Sequence, residues 1–213
     1  MNRLDSDVLL VLDGVGKRWD ESSGLRPVTM EVRSHELLAV RGRSGSGKST
    51  LLAILAGWCA PDHGDVRWGP RLSVGDTAAW DHVAVVPQVL ALMGELSARE
   101  NIEIALRGCG VDRAVASTRA GDVLASLSLS DLADRRPAET SVGQRQRTAL
   151  ARALVVEPTL LLADEPTSHQ DAVSARQVVD ALRQRAEVGG GVIVATHDEM
   201  VVAAADRVVT LDD

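Results

Sequence analysis

Apolar residues come along this chain in short blocks, and the spacing inside each block predicts its backbone. In the first third the blocks span four or five positions and are rich in Val and Leu, at residues 8–12, 28–32 and 37–40. Runs this short, set between polar and turn-forming residues, read as strands. Residues 51–56 are apolar without a break and are closed by Gly57, the pattern of a buried helix with a glycine terminus. A turn is expected at Pro61-Asp62-His63-Gly64-Asp65, then a short strand at 66–68. Another strand is expected at 83–86, ended by Pro87, which cannot donate to a ladder.

From Ser97 the spacing lengthens to that of helices. Ser97-Ala98-Arg99-Glu100 forms a capping box in which the serine oxygen accepts the third N–H and the glutamate reaches back. Helices are predicted at about 100–106, 112–127 and 144–154. Strands at 160–163, 192–195 and 208–211 then alternate with helices at 172–186 and 199–204. Such alternation implies a parallel sheet with crossover helices. The predicted fold class is therefore α/β, with a mostly parallel sheet, an N-terminal antiparallel β region and an inserted helical subdomain. No internal repeat, low-complexity tract or long linker interrupts it.

Composition narrows the function. With 213 residues and 45% hydrophobic content, the chain has ample material for a core. It contains no Phe or Tyr and four Trp, so that core is aliphatic. A formal charge of −7 argues against a nucleic-acid partner, which calls for a basic face, but allows docking to a membrane protein through a local patch. Cys59 and Cys109 have neither C-x-x-C spacing nor a nearby pair of histidines, and free, buried thiols in a reducing compartment are expected. The N-terminus Met1-Asn2-Arg3-Leu4-Asp5-Ser6-Asp7 has charges where a signal peptide needs an apolar core. No apolar run approaches the roughly 20 residues of a membrane span. A cytoplasmic protein is expected.

The most specific chemistry lies in Gly42-Arg43-Ser44-Gly45-Ser46-Gly47-Lys48-Ser49-Thr50, which fits G-x-x-x-x-G-K-[ST] between a predicted strand and a predicted helix. The glycines let successive backbone N–H groups point inward at phosphate oxygens, and the helix adds its positive end. Lys48 would reach the β- and γ-phosphates of a nucleoside triphosphate, and the Ser49 hydroxyl would sit on Mg²⁺. The second acidic site is Asp164-Glu165, where the apolar run Leu160-Leu161-Leu162-Ala163 stops abruptly. Ligands gather at such strand ends. Asp164 would hold Mg²⁺ through its water shell, and Glu165 would polarise an attacking water.

These residues resemble the ATPase subunits of ATP-binding-cassette (ABC) transporters, over nearly the whole chain from Val8 to Leu211. Residues 42–50 match the Walker A loop; 160–164 match Walker B, with Glu165 as the catalytic glutamate. The resemblance implies ATP as nucleotide and Mg²⁺ as cofactor, held by Ser49, Gln88 and Asp164. Gln88, after Pro87, matches the glutamine that contacts Mg²⁺ and senses the membrane partner. His197 matches the switch histidine at the γ-phosphate, and Trp19 falls where the family stacks an aromatic ring on adenine. Residues 96–102 and 162–167 look most like the lipoprotein-release, macrolide-export and cell-division group. The implied division is a single nucleotide-binding domain over 1–213, with an ATP-binding core at about 1–90 and 155–213 and a helical subdomain at about 91–154.

The pattern breaks at the signature. The family has Leu-Ser-Gly-Gly-Gln; the matching residues here are Thr140-Ser141-Val142-Gly143-Gln144. In the family this signature closes over the ATP of a second subunit. Ser141 keeps a hydroxyl and Gly143 keeps room for a close approach. Val142 puts a β-branched side chain where the family has none, which would crowd the phosphate or bar the backbone geometry unless it points away. After Walker B, Ser168-His169-Gln170-Asp171 retains the aspartate but brings two polar residues to the expected dimer seam. His35 stands where a turn glycine is common, at little cost if the turn is ordinary. What serves this subunit's own ATP is intact, and what it lends to a partner's is altered.

The leading reading is an ATP-hydrolysing motor subunit, pairing with a second cassette and with integral membrane permease subunits, and attached peripherally to the inner face of the membrane. A homodimer is preferred and a heterodimer stays open. One alternative is a regulatory, division-type cassette of low turnover. The other is a soluble cassette of DNA repair or translation, disfavoured by the absence of a coiled-coil insertion or a second cassette. ATP turnover measured with and without a membrane partner separates the first two.

Overall fold

The computed structural model describes residues 5–20, 23–72 and 82–211. Met1 to Leu4, part of the charged N-terminal segment considered above, lie outside the described residues.

Three strands form an antiparallel sheet in the order β2-β1-β4, with β1 at Val8–Arg18, β2 at Gly24–Arg33 and β4 at His63–Trp68. β1 and β2 run longer than the apolar blocks predict because their outer halves alternate buried and exposed positions rather than staying apolar. β4 starts at His63, inside the expected turn: His63 pairs with Gly16 across a bulge, and Gly64 has φ 74.

Five strands form the second sheet, all parallel, in the order β5-β6-β7-β3-β8. These are β3 (Glu36–Arg41), β5 (Val83–Val86), β6 (Leu160–Asp164), β7 (Gly191–Ala195) and β8 (Arg207–Thr210). β6 and β7 are buried at every position, the mark of a parallel sheet covered on both faces. Alternate side chains feed two cores. Leu160, Leu162, Ile193 and Leu38 join the antiparallel sheet and α1 (Lys48–Leu55), while Leu161, Ala163, Val192, Val194 and Leu37 meet the remaining helices.

Between β5 and β6 the chain folds into α2 (Ala98–Gly108), α3 (Arg113–Ser126) and α4 (Val142–Leu154), packed around Ile102, Leu106, Ala120, Leu124 and Leu150. Both halves of the Ser97–Glu100 capping box are made. α5 (Ala172–Glu187) and α6 (Glu199–Ala204) complete the helices. Among the described residues no helix is long and apolar enough to cross a membrane.

Two expectations need correction. Neither cysteine is disulfide-bonded among the described residues, and neither is buried: Cys59, past the end of α1, is half-buried against the edge of the core, and Cys109, the residue after α2, is exposed. The turn at His35 is not ordinary, since its φ of 60 places a β-carbon in the left-handed region. Its backbone N–H is held by the Gly190 carbonyl at 2.9 Å.

Candidate functional site

Because the large sheet is parallel, the segments that leave β3, β5, β6 and β7 all emerge at one end. The order of those strands decides which segments meet there. β7 lies between β3 and β6, so the loop after β3 and the carboxylates after β6 flank one strand end.

The loop 42–47 turns from β3 into α1. Gly47 has φ 94, and a methyl group on it would come within 2.5 Å of the Gly24 carbonyl oxygen, so only glycine fits. Ser46 and Gly47 are buried, while Arg43, Ser44 and Gly45 form an exposed rim. The Lys48 ammonium is drawn back over this loop, donating to the carbonyls of Gly42 (2.7 Å) and Arg43 (3.0 Å). Among the described residues the other five α-helices have a side-chain cap, from Ser97, Asp112, Ser141, Asp171 and Asp198. α1 has none, and no acidic residue in its first turn, so its N–H groups stay open to an anion.

The Ser49 hydroxyl, one residue into α1, donates to Asp164 Oδ2 at 2.6 Å, joining positions far apart in sequence. Asp164 is buried at the end of β6. Its pKa is raised by that burial, which the hydrogen bond from Ser49 opposes and the neighbouring Glu165 charge reinforces. A hydroxyl and a partly desolvated carboxylate are oxygen donors of the kind a small, hard divalent ion takes. Gln88 is exposed two residues beyond Val86, whose partner on β6 is Ala163, and so lies at the same end of the sheet.

Glu165 follows Asp164 with φ 48, a left-handed conformation that costs on the order of 1–3 kcal/mol for a residue with a side chain. Asp164 pairs with Ala195, which puts Glu165 beside the residues that leave β7. Thr196 donates its hydroxyl to Glu165 Oε2 (3.1 Å), and His197 Nδ1 lies 2.8 Å from Oε1. A carboxylate oxygen accepts, so Nδ1 is the donor of this contact in the tautomer that carries its proton there. The His197 ring is otherwise open, with 81% of its side chain exposed.

Trp19 lies beyond the end of β1 and is 56% exposed. Its indole N–H donates to the Thr50 hydroxyl at 3.0 Å, which ties the ring to α1. Lys17 Nζ sits 5.1 Å from the ring centre over one face.

The signature residues are elsewhere, at the start of α4. Ser141 caps that helix: its oxygen accepts from Gln144 N–H (3.2 Å), while Gln144 Oε1 accepts from Ser141 N–H (2.8 Å). Val142 is the first helical residue and its φ is not positive, so its β-carbon does not strain this backbone. Its side chain is 44% exposed. The room at Gly143 is used within the chain: a methyl group there would lie 2.8 Å from the His169 carbonyl. Asp171 caps α5 through Ser174, and Ser168 hydrogen-bonds to Gln146.

The structure thus gathers residues 42–50, Trp19, Gln88, Asp164, Glu165 and His197 around one end of the sheet, and gathers Ser141 to Gln144, Ser168 and Asp171 where α4 meets α5. Two participants escaped the sequence reading. Thr196 adjoins His197 and has only that adjacency as a signal. Gln146 is a polar residue in the buried stripe of α4, a signal that names no partner.

The sequence model of the ABC transporter family matches residues 25–168. The chain belongs to that family. An uncharacterized ABC transporter ATP-binding protein of Mycobacterium tuberculosis is 38% identical over 196 residues, 88% of this cassette and 59% of that protein. The macrolide export ATP-binding/permease protein MacB of Nitrosomonas europaea is 38% identical over 220 residues, 98% of this cassette and 33% of that protein. The cassette therefore spans between a third and three fifths of these relatives. Among solved structures it is similar to an ATP-binding cassette determined as a dimer in a post-hydrolysis state with ADP and Pi. That structure is 30% identical, with a TM-score of 0.86 over 96% of this chain and 94% of the other.

Proposed function

We propose that this cassette binds and hydrolyses ATP as the motor subunit of a membrane transporter or a related mechanotransmission complex. The observation that carries this reading is the Glu165 carboxylate held between Thr196 and His197, next to the Ser49–Asp164 pair and the open N-terminus of α1. Phosphate oxygens would be received by the N–H groups of residues 44–50 and by Lys48, whose ammonium has only two carbonyls to give up. Ser49, Asp164 and Gln88 would hold Mg²⁺, which when bound supplies positive charge against the phosphates. Glu165 orients and takes a proton from the attacking water, and its two side-chain partners hold it in line.

The partner is a second copy of this chain, placed so that Ser141, Val142 and Gly143 approach the ATP of the other subunit. Membrane subunits dock near Gln88, where Val89 and Met93 expose apolar side chains (82% and 48%). This would hold the cassette at the inner face of the membrane. The fusion of cassette and permease in the name of the MacB relative supports a membrane partner. The acidic charge argues against a nucleic-acid partner. The helical cluster α2–α4 is the subdomain that carries the signature, and the docking region lies where the chain passes into it from β5.

Lys48→Ala tests the cradle. It should remove most ATP binding in calorimetric titration, because the charge-assisted contacts to the terminal phosphates go with the ammonium. An unchanged affinity would mean that loop 42–50 is not where the nucleotide sits.

A further inference from the structure

Glu165 is held in its left-handed turn from two sides. On one side the grip comes entirely from the end of β7: the Ala195 carbonyl takes the Glu165 N–H at 2.8 Å, and Thr196 and His197 take the carboxylate. On the other side stands Gln146 of α4, only 4% exposed. Its Nε2 donates to the Glu165 carbonyl oxygen in a short hydrogen bond and to Ser168 Oγ at 3.0 Å. Ser168 in turn donates to Gln146 Oε1 at 3.2 Å. Both ends of one amide are thus committed to the turn 165–168, and the peptide unit after Glu165 is fixed to a helix outside the sheet. The same helix carries Arg152, which donates to the carbonyls of Leu90 (3.0 Å) and Ala91 (2.7 Å) in the loop past Gln88. Ala91 is itself left-handed, with φ 48.

We infer that Gln146 is a positioning residue for hydrolysis: it holds the Glu165 peptide so that the carboxylate stays between Thr196 and His197, and it makes that pose depend on where α4 lies. The inference rests on the ATPase reading above. Gln146 touches neither nucleotide nor water in this scheme and acts only through Glu165. A buried amide that merely satisfied the turn would matter for stability, and its loss would lower nucleotide affinity and turnover together.

Gln146→Met separates the two roles, since methionine nearly keeps the volume and gives up the amide's hydrogen bonds to Glu165 and Ser168. Turnover number, KM for ATP, calorimetric ATP affinity and Tm would be measured on the intact cassette. Turnover should fall at least tenfold, while KM and affinity stay within twofold of wild type. In a Glu165→Gln background the same change should add no further loss to the residual turnover, because the group it positions is already disabled. Wild-type turnover in Gln146→Met, or an equal fractional loss in both backgrounds, would overturn the inference, as would a parallel fall in affinity. If Gln146→Met does not fold, Gln146→Glu serves with the same readouts, as it sets a carboxylate oxygen against the Glu165 carbonyl. Absence of ATP turnover in the wild type, or Lys48→Ala without effect, would instead overturn the ATPase reading, and neither measurement involves Gln146.

Discussion

Asp164 shows how a single residue trades stability for chemistry. Its folded pKa lies above the usual carboxylate value because burial disfavours the charge. As pH rises from the unfolded pKa through the folded one, the unfolded chain gives up its proton first, so stability falls over that range and the full cost is present at neutral pH. Asp164→Asn keeps an acceptor for the Ser49 hydroxyl and removes the charge. It should raise the Tm of the nucleotide-free protein at pH 7 by a few degrees, with a smaller gain at pH 4, while abolishing the Mg²⁺ dependence of ATP binding. Scanning calorimetry at the two pH values checks the first part; equal Tm values for mutant and wild type would remove the desolvation argument. Trp19 is the other residue whose role turns on its surroundings. Lys17 lies over one face and Thr50 holds the rim, so a base would stack on the other face. Trp19→Ala should weaken ATP binding by about 1–2 kcal/mol and abolish the fluorescence response to ATP. A mutant that binds normally would return Trp19 to a packing role.

At the scale of elements, the start of α4 carries the main departure from the family pattern. Val142 has a helical backbone and an exposed side chain, so any obstacle it presents to a partner's phosphate is its isopropyl group. Val142→Ala and Val142→Gly should therefore raise ATP turnover equally, by about 2–5-fold if removing the isopropyl group favours closure by about 0.4–1 kcal/mol. The glycine variant alone should lose stability, by about 1 kcal/mol relative to alanine. Steady-state assays paired with thermal melts decide the point: activation by glycine and not by alanine would show that backbone freedom matters after all. The capping boxes at Ser97 and Ser141 belong to this scale too. The first was legible because Ser-x-x-Glu is a local signal. The second was hidden because Ser141 and Gln144 were assigned to a partner's nucleotide, and the structure spends part of their hydrogen bonding on their own helix.

For the whole molecule, the prediction concerns association. Glu165→Gln keeps the shape of the side chain and cannot take a proton from water, so ATP should persist and hold two cassettes together. Light scattering should show an ATP-dependent rise in mass toward a dimer in this variant, reversed by removing nucleotide. Wild-type turnover in Glu165→Gln would remove the role given to that carboxylate. The strands, most of the helices and the phosphate loop were readable in the sequence because each rests on local causes: apolar period, turn residues, and a glycine spacing that only one backbone shape satisfies. The same locality made Asp164 and Glu165 stand out at the end of an apolar run. Tertiary structure alone decided what meets across the sheet. Strand order put β7 between β3 and β6, and this brought Ser49 to Asp164 and Glu165 to Thr196 and His197. Helix packing set Gln146 under Glu165 and used the space at Gly143 for the His169 carbonyl. No local pattern encodes such pairs, because the distance that matters runs through space between segments whose order in the sheet is chosen by the packing of the whole core.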